Sequence, residues 1–499
     1  MDSFVTGIAL IGIVIVVASL MSGALERRAV PLVVAFLGIG VLLGPRGLKL
    51  LDIGFESPAL LALATLALAL VLFTDAVTLN FAEVRSRRRL VLTLIGPGTL
   101  LPAGLVTLAG IFLLNLSVPA AAILGAALAS TDPVLLRGAL RSRSLPENTR
   151  IALRMETGMN DIVLLPMVVI AILLLKGAAQ TPVDAAEGGI ARDLVGLFLL
   201  GPALGALVGW IGIKALGWVR TRIGVRRDYE SLYALGLAFC AFAAAESVGG
   251  SGFVAAFAAG FMIDAQDTEL CECFMEYGEA TAEMFLLLTF VALGTSLIWT
   301  GLEVVHWRTL LFAVIALGVR SAVLYPILGG LGLPERDRRL IALMGPRGLS
   351  SLLLVLLPVF AGAPGAQDLF SVACLVVLLS LVLHGGGMAW LLRAKAAAVL
   401  DSAAPSPTAS LGMESRPVED AVVGTAPAEE PPDRMGLDEL RELEQRGEPV
   451  VIADARKDAA YYGDGRKATG SIRLDPDDPI PDAEGRRLPR DATIAVYCA

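Results

Sequence analysis

The stretch Arg154-Met155-Glu156-Thr157-Gly158-Met159-Asn160-Asp161, continued by IVLLPMVVIAILLL as far as Leu175, decides how this chain folds. Residues 151–175 are apolar over a length that crosses a hydrocarbon layer of about 30 Å as a helix. Yet the start of the run holds an arginine, two acids and an amide. Ionisable side chains are costly inside a membrane, and those that persist face a bundle interior or an ion path. On a helix Glu156 and Asn160 stand at i and i+4 on one face, and Thr157 and Asp161 repeat that spacing on the adjacent one. Two acids and an amide therefore point into one region.

Similar apolar runs recur near 4–23, 29–43, 57–79, 90–114, 118–136, 193–219, 229–247, 252–264, 279–300, 305–328, 338–361 and 367–392, making about thirteen spans with 151–175. The 499 residues are 56% hydrophobic and only 18% charged, with mean hydropathy +0.72, too oily for a string of soluble domains. The expectation is an all-α polytopic membrane protein. Disordered, collagenous and disulfide-stapled classes are excluded, and nothing resembles a nucleic-acid surface. The five cysteines, Cys240, Cys271, Cys273, Cys374 and Cys498, form no CxxC pair. The first run lacks a basic leader and a small-residue cleavage site, which reads as a retained helix rather than a removable signal.

Arginine and lysine in the connections fall unevenly when counted on alternate sides. One side collects clusters such as Arg85, Arg87, Arg88, Arg89 and Arg336, Arg338, Arg339; the other holds only Arg46, Lys49, Lys176, Arg192 and Arg308. The bias places the N-terminus outside and the C-terminus in the cytoplasm.

Two other runs contain interruptions. In 118–136 the sequence Ser130-Thr131-Asp132-Pro133 puts a proline where a helix loses a donor and where the preceding residue avoids helical angles, so the helix breaks at Thr131–Asp132. In 338–361 the sequence Gly345-Pro346-Arg347-Gly348 does the same. Breaks at similar places in the two halves are the sequence sign of inverted repeats whose interrupted helices cross at the midplane, and free carbonyls there suit small hard cations. Arg347 can neutralise a buried carboxylate or the negative end of a half-helix, with Glu156 as the preferred partner. Burial disfavours an isolated charge on Asp161 and a bound cation restores it, so proton and cation compete for that side chain. Outside this group, Asp75 and Asn80 read equally as interfacial caps or as ion access. Glu246 reads as structural, Arg154 and Arg320 as paired core charges or transport residues, and His306 and His384 as no metal pair.

The segments Thr131-Asp132-Pro133, Glu156-Thr157-Gly158-Met159-Asn160-Asp161, Glu246-Ser247 with Gly249-Gly250-Ser251-Gly252-Phe253, and Gly345-Pro346-Arg347-Gly348 resemble those of the monovalent cation/proton antiporter family of bacterial sodium/proton exchangers. The resemblance covers about residues 1–393. It implies a homodimer of thirteen-helix subunits in the inner membrane, with alternating access of an elevator kind and no enzymatic activity or cofactor. It implies Asp161 as the residue exchanging cation for proton. Asp132, Thr131 and Thr157 would be further Na⁺ ligands, Asn160 the partner in an electroneutral Asn-Asp pair, and Glu156–Arg347 an organising ion pair. Na⁺ or Li⁺ is the first expectation for the cation and K⁺ the alternative.

Up to Arg393 the chain has 27 basic and 27 acidic residues, and beyond it 13 and 21, so the whole net charge of −8 lies in the tail. Residues 394–435 have the Ala-, Pro- and Ser-rich composition of a linker. From 436 to 499 a helix at Leu437 to Gln445 and strands at Val450 to Ala453 and Thr493 to Tyr497 predict a small α/β module. Its Asp454-Ala455-Arg456 and Val496-Tyr497-Cys498-Ala499 resemble a truncated rhodanese-like domain, with Cys498 at the place of the persulfide-forming cysteine. The resemblance also implies an alternative function, a membrane-tethered sulfurtransferase or redox sensor. The residues that would cradle a thiolate do not follow Cys498 in this sequence, so catalysis by the tail is not expected.

Overall fold

A computed structural model describes residues 32–79, 81–132, 145–179, 189–266 and 268–385, with 449–456, 471–474 and 493–497 in the tail and scattered single positions elsewhere. Pro133, Asn80, the linker, Cys498 and most of the first apolar run and of the expected 437–445 helix lie outside the described residues. The chain divides into two compact units, Met1–Pro405 and Ser406–Ala499.

The first unit is helical. Its elements are α1 (Leu32–Leu43), α2 (Pro58–Val77), α3 (Arg88–Leu114), α4 (Val118–Ala129), α5 (Glu147–Ala179), α6 (Arg192–Arg222), α7 (Arg227–Ser247), α8 (Gly252–Gln266) and α9 (Thr268–Thr295). They continue as α10 (Trp307–Ile327), α11 (Glu335–Leu343), α12 (Leu349–Phe360) and α13 (Ala366–Ser380). Local chemistry sets several ends. α2 and α4 begin with proline in the first turn, where its missing N–H costs nothing, and α3 stops at Asn115 in the left-handed conformation (φ 53°) that Asn tolerates. Glu246 is structural as expected: its Oε1 accepts the Gly252 N–H at 2.8 Å, tying the end of α7 to the start of α8.

Among the described residues six helices are long and apolar enough to cross a membrane, or seven if the bent pair Ala280–Thr295 and Leu297–Glu303 is one span. Four shorter apolar helices, α1, α4, α8 and α12, accompany them. The expectation of thirteen spans is thus met at the level of a multi-pass helical membrane protein.

Packing sorts the helices into two groups. In one, α9 lies against α1 and α2, and α8 against α2, α6 and α7. Small residues allow the close approach. Gly40 of α1 and Gly294 of α9 meet so tightly that a methyl on either would run into backbone of the other. In the other group α3 lies against α4 and α10, α4 against α5, α12 and α13, and α11 against α5 and α10. The interior is apolar, with Phe36, Phe73, Phe290, Phe312 and Phe370 fully buried, while Phe112, Trp218 and Val314 are exposed as in a lipid-facing surface.

In the second unit β1 (Val450–Asp454), β2 (Ile472–Arg473) and β3 (Thr493–Tyr497) form a parallel sheet in the order β2-β1-β3, with Ala453 opposite Ile472 and Ile452 opposite Ala495. At its edge Arg456 Nη2 donates to Asp454 Oδ2 at 2.8 Å, and the Tyr497 hydroxyl donates to the same oxygen at 2.8 Å. The hydrogen bonds from Arg456, more than that from Tyr497, hold the Asp454 carboxyl well below the usual carboxylate range.

Candidate ion site at the crossing of two broken helices

α4 stops at Ala129, and Ser130 turns to extended backbone (φ −65°, ψ 133°). Across from it the chain is non-helical between the ends of α11 and α12, at Met344 to Gly348. The two breaks touch. The Asp132 N–H donates to Pro346 O at 3.0 Å. The Asp132 carboxylate accepts the N–H of Leu349 at 2.5 Å and of Leu135 at 3.3 Å. It therefore caps the N-terminus of α12, where orphan donors and the helix dipole favour a negative charge. Arg347 does the converse. Its Nη1 donates to Ala129 O at 2.8 Å and Ser130 O at 2.9 Å, placing positive charge at the C-terminal end of α4. Each break is closed by a side chain from the other, and Gly348 lies so near Asp132 that an added methyl would strike its carboxylate.

α5 presents its polar face to this crossing. Ser130 Oγ donates to Asp161 Oδ1 at 3.0 Å, and Asn160 Nδ2 donates to Thr131 Oγ1 at 3.1 Å. Asn160 Oδ1 is buried with no hydrogen-bond partner among the described residues. Thr157 Oγ1 donates back to its own helix, to Leu153 O at 3.0 Å. The structure thus brings Thr131, Asp132, Asn160 and Asp161 together, all 4% exposed or less.

Two expectations are corrected. Glu156 does not pair with Arg347: its carboxylate takes Arg320 of α10 in a two-pronged bridge, Nε to Oε1 at 2.7 Å and Nη2 to Oε2 at 2.6 Å. Arg347 Nη1 turns to α4, and α10 brings the second guanidinium, that of Arg320, to Glu156. The carbonyls at the α4 break are not all free either, since Ala129 O and Ser130 O are held by Arg347. Arg320 is a paired core charge, whereas Arg154 is exposed. Sequence reasoning passed over Ser130, although it directly precedes the Thr131-Asp132 pair. It also passed over Ser351, whose hydroxyl reaches Ser130 O at 3.4 Å.

Five charged side chains are buried here: Asp132, Glu156, Asp161, Arg320 and Arg347. With all ionised they carry a single net negative charge. The donors around Asp161 are carboxylate, amide and hydroxyl oxygens, which are ligands for hard cations. Among the described residues no group of three His, Cys, Asp or Glu forms a metal cluster. A cavity of about 540 Å³ between the start of α2 and the α12–α13 turn is lined by none of the site's residues.

The sodium/hydrogen exchanger transmembrane family model matches residues 12–394. The chain belongs to the sodium/hydrogen exchanger family. This exchanger is 26% identical over 404 residues to the K(+)/H(+) antiporter NhaP2 of Shewanella baltica, covering 80% of this chain and 68% of that protein. It is 27% identical over 331 residues to the Na(+)/H(+) antiporter NhaG of Bacillus atrophaeus, covering 64% of this chain and 61% of that one. Its fold is that of the sodium proton antiporter MjNhaP1 from Methanocaldococcus jannaschii, with TM-score 0.62 at 20% identity over 78% of this chain and 98% of that one.

Proposed function

We propose that this exchanger moves one monovalent alkali cation against one proton across the membrane, with Asp161 as the side chain both occupy in turn. The observation that carries the reading is the Asp161 carboxylate, 4% exposed, preceded in the chain by Asn160, whose buried Oδ1 has no hydrogen-bond partner among the described residues, in a cluster of one net negative charge. One cation or one proton brings that cluster to neutrality, so the exchange leaves the buried charge unchanged. Two protons or a divalent ion would leave an uncompensated charge in low dielectric, at a cost of several kcal/mol. This favours electroneutral exchange. Thr131, Asp132, Asn160 and Thr157 are the further oxygen ligands, and the Glu156–Arg320 bridge holds α5 against α10. Na⁺ or Li⁺ is the first choice of cation. K⁺ is the alternative, supported by the K(+)/H(+) antiporters among the relatives.

The reciprocal caps tie α4 to α12, and the Ser130–Asp161 and Asn160–Thr131 hydrogen bonds tie α5 to the same crossing, which supports a mechanism of alternating access in which Asp132 and Asp161 travel as one body. The proposal extends to a homodimer in the bacterial inner membrane, N-terminus outside and C-terminus cytoplasmic, with the transport unit in residues 1–393. A linker (394–435) and a rhodanese-like tail (436–499) follow, and Cys498 has no part in exchange. In proteoliposomes with a preset pH gradient, Na⁺, Li⁺ or K⁺ added outside should dissipate the gradient, and Asp161→Asn should abolish the response. Undiminished exchange by Asp161→Asn ends the reading.

A further inference from the structure

Beyond Asp132, the unwound segment ahead of α12 is held by a contact that the exchange site does not use. The Arg347 backbone N–H donates to Ser380 Oγ at 2.7 Å, and that hydroxyl lies 3.2 Å from Nδ1 of His384. Ser380 is fully buried at the end of α13. The helix then widens into a π-helical turn, Leu381–Gly385, a local form that recurs at functional positions. In that turn Val382 and Leu383 are exposed, at 73% and 59%, while His384 is half-buried and turned towards Ser380.

The tautomer of His384 sets the direction of the contact. The Ser380 oxygen accepts the Arg347 N–H, and the hydroxyl has one proton of its own to donate. His384 Nδ1 takes that proton only if it carries none, with the ring proton on Nε2. The fixed charges around the break are the Arg347 and Arg320 guanidiniums and the Asp132 and Glu156 carboxylates, with Asp161 beyond them on α5. We propose that Ser380 and His384 form a positioning pair: His384 orients the Ser380 hydroxyl so that its oxygen holds the Arg347 N–H. This keeps residues 346–349 in register with Asp132, and cation affinity depends on it. The inference deepens the exchanger reading and rests on it for its transport readout.

Two measurements test it. In proteoliposomes, His384→Leu and Ser380→Ala should each raise the apparent KM for the cation about fivefold, the loss expected for one buried neutral hydrogen bond, with kcat little changed. The double variant should be no worse than Ser380→Ala alone, because the two side chains act through one contact. His384→Gln, which offers a carbonyl acceptor, should restore the KM of His384→Leu. An unaltered KM in His384→Leu, or additive losses in the double variant, overturns the pair. Independently of transport, ¹⁵N-histidine labelling gives only two residues to resolve, His306 and His384, and His306→Gln isolates the second. An unprotonated, hydrogen-bonded Nδ1 is expected, and a protonated Nδ1 overturns the proposal. Wild-type protein that exchanges no alkali cation would sink the exchanger reading instead, and the nitrogen signature would still decide the hydrogen bond.

Discussion

Replacing Glu156 by Gln leaves the Arg320 guanidinium buried without its counter-charge. The two side chains are 5% and 3% exposed and meet through two charge-assisted hydrogen bonds of 2.7 and 2.6 Å, so water neither screens the pair nor replaces it. Removing one partner of such a pair costs about 3–5 kcal/mol. Arg320 keeps one further bond, Nη1 to Ala342 O at 2.9 Å, which places the loss near about 3 kcal/mol. Reversible unfolding in mixed micelles against SDS fraction measures it, for Glu156→Gln, Arg320→Gln and the double variant. Much of the loss should return in the double variant, where neither charge is left unpaired, giving a coupling of about 2 kcal/mol or more. The same cycle with Arg347→Gln should couple to Glu156 by less than about 1 kcal/mol, since Arg347 bonds to α4 carbonyls and only acts on Glu156 at a distance. A larger coupling to Arg347 than to Arg320 would refute the assignment.

Asp132→Asn keeps an acceptor for the α12 N-terminus but removes the charge that makes the cluster negative. The protein should fold, and cation affinity should fall by about tenfold or more; a wild-type KM takes Asp132 out of the site. Gly348→Ala drives a methyl into the Asp132 carboxylate and should cost about 1–3 kcal/mol of stability together with exchange, both read on purified protein. Because a proton on Asp161 excludes the cation, the apparent KM should rise as pH falls, approaching about tenfold per pH unit below the titration of the site and flattening above it. A KM independent of pH, measured with the gradient clamped, argues against a shared residue.

Apolar runs and the residues that interrupt them are properties of the chain read locally, so the multi-pass helical class, breaks near Thr131–Asp132 and Gly345–Gly348, and the oxygen-bearing group Thr131, Asp132, Asn160 and Asp161 were legible from order alone, while the structure ends the first of these helices at Ala129. Helical spacing states which side chains share a face of α5; it does not state which of two distant arginines that face meets. Arg320 lies 164 positions from Glu156, and only the packing of α10 against the α3–α5 group brought it there while Arg347 turned to α4. The Ser380–His384 contact likewise depends on how α13 ends beside the second break. Burial of a charge is dictated by composition, but its partner is chosen by three-dimensional distance, because in a low-dielectric interior the nearest opposite charge wins.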